Sequence, residues 1–159
     1  PEGALKIAQA SASSVCLSHV READLLHSAP DPALFEHAKP VELGQIDAFV
    51  SHSWADDGTA KYRQLQSWGR AFVREHGRLP QLWIDKWCLD QGNLAIALPC
   101  LPLFLGGSKR LVLLVGPTFV SRLWCIIELF TFLHMGGTPD RVCVLMLYMP
   151  PPPPPPPPP

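Results

Sequence analysis

Four short apolar runs, separated by longer segments, constrain the fold of this chain more than any other feature. They are residues 46–50 (IDAFV), 82–84 (LWI), 111–115 (LVLLV) and 141–147 (RVCVLML). Their residues do not alternate between apolar and polar, which is typical of strands buried on both faces of a parallel sheet. Between the runs, residues 59–76, 96–105 and 122–134 place apolar side chains at helical spacing. Strands that alternate with helices predict a doubly wound α/β domain with a parallel sheet of about four strands.

Proline and composition set the limits of this domain. Residues 150–159 are ten consecutive prolines, which lack backbone N–H groups and form a stiff left-handed helix outside any packed core. We interpret the run either as a spacer to a further domain or as a ligand of a profilin, SH3 or WW domain. Residues 1–45 show only short helical patterns and form a lead-in segment of uncertain structure. The predicted domain therefore spans residues 46–149.

Charge and cysteine content exclude several function classes. The net charge is −1 and only 17% of residues are charged, which disfavours binding to nucleic acid or to an anionic membrane. The five cysteines are odd in number and lack metal-ligand spacing, so we expect reduced, inert thiols, no metal site and a cytoplasmic setting. The apolar stretch 111–133 contains Pro117, Arg122 and Glu128, which favours buried core over a membrane span.

Polar and aromatic residues follow the predicted strands at one edge of the sheet. In open parallel sheets, ligands bind outside the carboxyl ends of the strands, where loops and helix N-termini meet. The residues there combine hydroxyls, an imidazole, a carboxylate and indoles, which can stack on a flat ring and hydrogen-bond a ribose. The predicted substrate-binding residues are Ser51, His52, Ser53, Trp54, Asp85 and Trp124. Alternatively, His52 caps the loop after the first strand and Asp85 braces the following loop.

Glu128 is the candidate for chemistry. It lies in the otherwise apolar segment 123–133 of the last predicted helix, with Trp124 one turn before it. A carboxylate in such surroundings has a raised pKa or needs a hydrogen-bond donor, and an acid of this kind at a cleft is typical of a functional site. The alternative is a structural ion pair with Lys86, Arg122 or another cation.

Three stretches carry a resemblance to a known family. They are residues 47–54 (DAFVSHSW), 82–91 (LWIDKWCLDQ) and 121–129 (SRLWCIIEL). The first resembles the opening D-A-F-[IV]-S box of Toll/interleukin-receptor (TIR) domains, and the third resembles their S-x-x-W-C-x-x-E-L helix. The second differs from the receptor-type R-D-x-x-P-G loop and resembles the W-I-D-x-x-C-[IL]-[ND]-Q signature of fungal heterokaryon-incompatibility domains, which are themselves TIR-like.

The resemblance implies a flavodoxin-like fold and a specific chemistry. That fold has five strands, so the fifth β/α unit of this chain is expected to be absent or replaced. In TIR enzymes the matching glutamate is catalytic, which implies that Glu128 helps an NAD glycohydrolase or ADP-ribosyl cyclase to release nicotinamide, with NAD as substrate and without a cofactor. The alternative implied function is a non-enzymatic signalling module that self-associates through TIR-like surfaces.

The segment from Lys86 to Asn93 is the predicted oligomerisation element. Trp87 and Leu89 are bulky apolar side chains in an otherwise polar stretch, so an exposed loop would bury them in a neighbouring molecule. The alternative is that both side chains point inward and cap the sheet.

Overall fold

The computed structural model describes residues 2–147, apart from the side chains of Glu2 and Ile96. The proline run 150–159 and residues 148–149 of the predicted domain lie outside this range. The strands are β1 Ser13–Cys16, β2 Lys39–Pro40, β3 Ile46–His52, β4 Gln81–Trp83, β5 Ser108–Val115 and β6 Val142–Met146. The α-helices are α1 Glu2–Ser11, α2 Glu22–Leu26, α3 Pro32–Phe35, α4 Gly58–His76, α5 Asp85–Cys88, α6 Leu94–Ala97, α7 Leu101–Gly106 and α8 Leu123–His134.

The strands form one sheet in the order β2-β1-β4-β3-β5-β6. The four strands from β3 onward are parallel, and their spatial order is second, first, third, fourth along the chain. This is the flavodoxin-like order with the fifth position empty among residues 2–147. The predicted doubly wound α/β fold is thereby confirmed, and β6 is an edge strand within the described chain.

The lead-in segment belongs to the same sheet. β1 pairs antiparallel with β4, and β2 pairs antiparallel with β1. The Nζ atom of Lys86 donates hydrogen bonds to the backbone carbonyls of Asp24, at 2.8 Å, and of His27. The folded domain therefore includes elements before residue 46. The sequence did not indicate them because β1 and β2 are short and rich in small or polar residues.

The predicted helix after the first strand is α4. The Asp57 side chain caps it by accepting a hydrogen bond from the Ala60 N–H at 2.8 Å. Leu65 and Phe72 are buried on its inner face. Gly77 ends the helix with a left-handed φ of 69°, which glycine adopts without a Cβ clash.

Asp47 fixes the opposite end of the sheet from the predicted site. Its carboxylate accepts hydrogen bonds from Arg78 at 2.6 and 2.8 Å, from the Gln81 N–H at 2.9 Å and from Lys109 at 3.1 Å. Burial favours the neutral acid, but these donors outweigh it and lower the pKa of Asp47 to about 2. Asp47, the first residue of the DAFVS box, thus joins β3 to the starts of β4 and β5.

Two segments differ locally from the sequence prediction. The predicted polar loop after the second strand begins with helix α5. The predicted helix 96–105 is divided into α6, a 3-10 turn at Leu98–Cys100 and α7. Pro99 and Pro102 explain the division, because each lacks the N–H that would continue the α-helical hydrogen-bond ladder.

Candidate functional site

The ends of three parallel strands bring most of the predicted site residues to one edge of the sheet. Ser51 lies near the end of β3, Asp85 follows β4, and the loop after β5 leads into α8. Because β3 is central between β4 and β5, its exit loop contacts both neighbouring loops. The predicted placement of the site at the carboxyl edge follows from this topology.

Glu128 is buried and hydrogen-bonded to a hydroxyl group. Its residue is 4% exposed, and the Oγ of Ser51, itself 1% exposed, donates a hydrogen bond to its Oε2 atom. Burial raises the pKa of Glu128 to about 8, partly opposed by the Ser51 hydrogen bond. Glu128 is therefore mostly protonated at neutral pH in the ligand-free protein.

The alternative of a structural ion pair does not account for Glu128. None of the ion pairs among the described residues includes it. Lys86 instead donates to the two carbonyls of the lead-in segment, and Arg122 is exposed at the start of α8. A buried acid without a cation is unfavourable for folding, so its presence favours a functional role.

Asp85 anchors a second hydrogen-bonded cluster. Its two carboxylate oxygens bond the Nε2 of His52 at 3.0 Å and the Nε1 of Trp54 at 2.6 Å. Burial raises its pKa, but the charge and hydrogen bond of His52, followed by the bonds from Trp54 and the Lys86 N–H, lower it below its ordinary value. An ionised Asp85 accepts from His52, so the Nε2 atom carries the proton. The Nδ1 atom of His52 is buried and has no hydrogen-bond partner in the described structure.

Ser53 is buried and stabilises the loops that carry the site residues. Its Oγ lies 2.7 Å from the hydroxyl oxygen of Thr118, which in turn donates to Asp56 at 2.8 Å. Lys61, buried beneath the loop, donates from Nζ to the backbone carbonyl of Ser53 at 3.0 Å. These bonds tie the exit loop of β3 to that of β5, and Ser53 is only 1% exposed. Lys61 was not among the predicted site residues, because the sequence pattern places it on the polar face of α4 and gives no sign that it is buried.

A cleft of about 270 Å³ opens beside the Asp85 cluster, and its lining residues do not include Ser51, His52, Ser53 or Glu128. Trp54 and Trp124 contribute indoles to its lining, and Asp85 contributes a carboxylate. Trp124 is 40% exposed and lies one helical turn before Glu128. Apolar residues complete the cleft, among them Leu94, Leu98 and Leu101 from the α6–α7 region. Sequence reasoning missed these leucines, since their apolar pattern indicated only a helix.

The two apolar residues of the predicted oligomerisation loop are not exposed. Trp87 is 0% and Leu89 is 9% exposed in the isolated chain. Trp87 lies in α5, which packs against β1 and α3. The expectation of an exposed interface at these two residues is therefore wrong, and the inward-pointing alternative is correct. The reason is the lead-in segment, which covers a region that the sequence prediction left open.

The cysteines within residues 2–147 form no disulfide, and two of them are buried thiols. Burial raises the pKa of Cys88 to about 12 and that of Cys125 to about 11, so both are neutral thiols near pH 7. No group of three or more His, Cys, Asp and Glu side chains within residues 2–147 is arranged to hold a metal ion. No helix in the same range is long and apolar enough to cross a membrane.

Comparison with known proteins returns no match, either to a protein-family model or to a curated protein.

Proposed function

We propose that this protein is a TIR-like NAD glycohydrolase or ADP-ribosyl cyclase, with Glu128 as the catalytic carboxylate. The observation that carries the proposal is the buried Glu128 carboxyl group, which Ser51 holds one helical turn from Trp124, an indole that lines the cleft together with Trp54. A buried acid that destabilises the fold is retained where its chemistry is used. The motif resemblance supplies the substrate class, and the lack of disulfides among the described residues fits the proposed cytoplasmic setting.

The proposed reaction needs one carboxylate as its catalytic group. Cleavage of the nicotinamide–ribose bond develops positive charge on the ribose, and nicotinamide leaves as a neutral molecule without an acid catalyst. The ribose carbon then bonds to water, which loses a proton, in the glycohydrolase, or to an adenine ring nitrogen of the same molecule in the cyclase. An ionised Glu128 would stabilise this oxocarbenium-like charge and accept hydrogen bonds from the ribose hydroxyls. Trp124 and Trp54 would stack on the flat rings of the substrate, and Asp85 would orient Trp54 through its 2.6 Å hydrogen bond.

The test is nicotinamide release from NAD by the full chain. Glu128→Gln keeps the size of the side chain and a carbonyl acceptor for Ser51, but it cannot become an anion. We expect it to lower kcat by at least about a hundredfold, as for the loss of a group that stabilises transition-state charge. Glu36→Gln is the matched control, because Glu36 is exposed on the lead-in segment. Equal release by wild type and Glu128→Gln would refute the assignment.

One observation favours the non-enzymatic alternative, a signalling scaffold. The lining residues described for the cleft include no lysine or arginine, although a dinucleotide brings a pyrophosphate that such side chains usually neutralise. Calorimetric titration with NAD separates the two functions. Saturable binding that Trp124→Ala weakens supports the enzyme, whereas self-association without any nucleotide binding supports the scaffold.

A further inference from the structure

Helix α8 exposes an unusual amount of apolar surface. Only Cys125, Glu128 and Phe132 of its residues are buried. Six apolar residues on the remaining faces are each at least 40% exposed, and the highest values are 73% for Leu123 and 67% for Phe130. These six are Leu123, Trp124, Ile126, Ile127, Phe130 and Leu133. A helix that is apolar all round is normally covered on all sides.

The edge strand β6 extends this apolar surface. Val144 and Met146 are 55% and 63% exposed. In the parallel register Ser51 aligns with Leu113, which aligns with Val144. Since Ser51 faces Glu128 of α8, Val144 and Met146 lie on the α8 side of the sheet. Because Trp124 lines the cleft, we call the other five α8 residues together with Val144 and Met146 the α8–β6 surface.

We propose that the α8–β6 surface is a self-association interface, and that it is covered by the same surface of a second copy of this chain. The position beyond β6, where a flavodoxin-like fold has its fifth strand, is empty among the described residues. A two-fold axis would place two α8 helices and two β6 edges together.

The α8–β6 surface is uncharged and can therefore pack against the same surface of a second copy. Between residues 123 and 133 the one ionisable side chain besides Cys125 is Glu128, which is buried beneath the helix. Two such surfaces therefore meet without charge repulsion and without desolvating an exposed charge. A membrane is a poorer partner, since interfacial helices combine an apolar face with lysine and arginine, which this stretch lacks.

The area of the surface is large enough for a dimer. Its seven side chains are about half exposed on average. At roughly 150–200 Å² for a large side chain, they present on the order of 600–700 Å² of apolar area. A stable interface buries roughly 600–1,000 Å² on each partner, and large exposed apolar patches on soluble domains mark interaction sites.

Sedimentation velocity of the full chain over a concentration series tests the proposal. We expect a monomer–dimer equilibrium in the wild type. Phe130→Glu places a charge at an exposed position within the surface and should raise the dimer dissociation constant by about 30-fold or more, as for a hot-spot residue. Val144→Lys should weaken the dimer through the other half of the surface. Both side chains are more than half exposed, so melting temperatures should stay near the wild-type value.

Leu26→Glu is the matched control, because Leu26 is 55% exposed on α2, outside the α8–β6 surface. The control should dimerise like the wild type. A wild type that remains monomeric at high micromolar concentration overturns the proposal, as does equal dimerisation of Phe130→Glu and Leu26→Glu. Flotation with phosphatidylcholine vesicles tests the lipid alternative. Wild-type binding to vesicles that Phe130→Glu abolishes would also overturn the proposal.

Discussion

The Ser51 hydroxyl donates a hydrogen bond to the carboxyl group of Glu128, although 77 positions separate the two residues. Ser51 belongs to the DAFVS box on β3, and Glu128 belongs to the WCxxE motif on α8. Two stretches that were identified separately in the sequence are therefore parts of one buried pair. The hydrogen bond from Ser51 lowers the pKa of Glu128 and so affects its protonation.

The proposed activity should depend on the ionisation of Glu128. The pKa of this group is raised to about 8, so most free enzyme carries the neutral acid below that pH. Only the carboxylate stabilises a developing cation. We expect kcat/KM for nicotinamide release to rise about tenfold per pH unit in the acidic range and to level off above about pH 8.

The Ser51→Ala variant gives a second test of this pH dependence of kcat/KM. The Ser51 hydrogen bond lowers the pKa of Glu128, so its removal should shift the rise in kcat/KM to higher pH. Ser121→Ala is the control, since the Ser121 hydroxyl is exposed and bonds the Thr118 carbonyl. A pH profile that is the same in Ser51→Ala and Ser121→Ala would show that Glu128 does not control the rate.

Glu128 should also make the wild type less stable as pH rises. Between the ordinary glutamate pKa of 4.5 and the folded value of about 8, the folded protein binds a proton that the unfolded chain has lost. Stability from this group is therefore present at low pH and declines through that window, by at most about 1.4 kcal/mol per pH unit. Glu128→Gln lacks this contribution.

The measurement is urea denaturation of wild type and Glu128→Gln from about pH 5 to pH 8. The variant should gain stability relative to the wild type steadily across the range. A constant difference would mean that the folded pKa of Glu128 is not raised. The exposed Glu36→Gln variant should follow the wild type throughout.

Trp87 should behave as a core residue. It is fully buried in α5, whereas Trp124 is 40% exposed on α8. Trp87→Ala leaves a large cavity and should lower the free energy of unfolding by about 3–5 kcal/mol. Trp124→Ala is the matched comparison and should cost much less. Thermal and urea denaturation measure the stability of both variants. An unchanged monomer stability in Trp87→Ala would show that Trp87 is not a core residue.

The sequence predicted the parallel part of the fold well because the four strands from residue 46 onward, and helices α4 and α8 between them, have clear local patterns. It also placed Ser51, Trp54, Asp85, Trp124 and Glu128 at one edge, since strand order and chain direction determine which loops meet. It failed for Trp87 because burial depends on what covers a residue. The covering elements lie in the lead-in segment, where short strands leave no periodic signal.

The lead-in segment should be needed for the rest of the domain to fold. β1 pairs with β4, and the backbone of Leu25 approaches Gly58 so closely that a Cβ there would overlap it. A chain that starts at residue 46 would expose Trp87 and leave Lys86 without its two carbonyl acceptors. We expect such a truncated chain to lose the cooperative thermal transition of the full chain and to bind a hydrophobic dye.

A peptide of residues 1–45 added to the truncated chain should restore the transition, because the covering elements need not be covalently attached. Lys86→Met in the full chain gives a graded version of the test. It leaves two carbonyls unpaired and should cost about 1–3 kcal/mol without abolishing the fold. If the truncated chain melts cooperatively at the same temperature as the full chain, the domain begins at residue 46 and the lead-in segment contributes nothing to its stability.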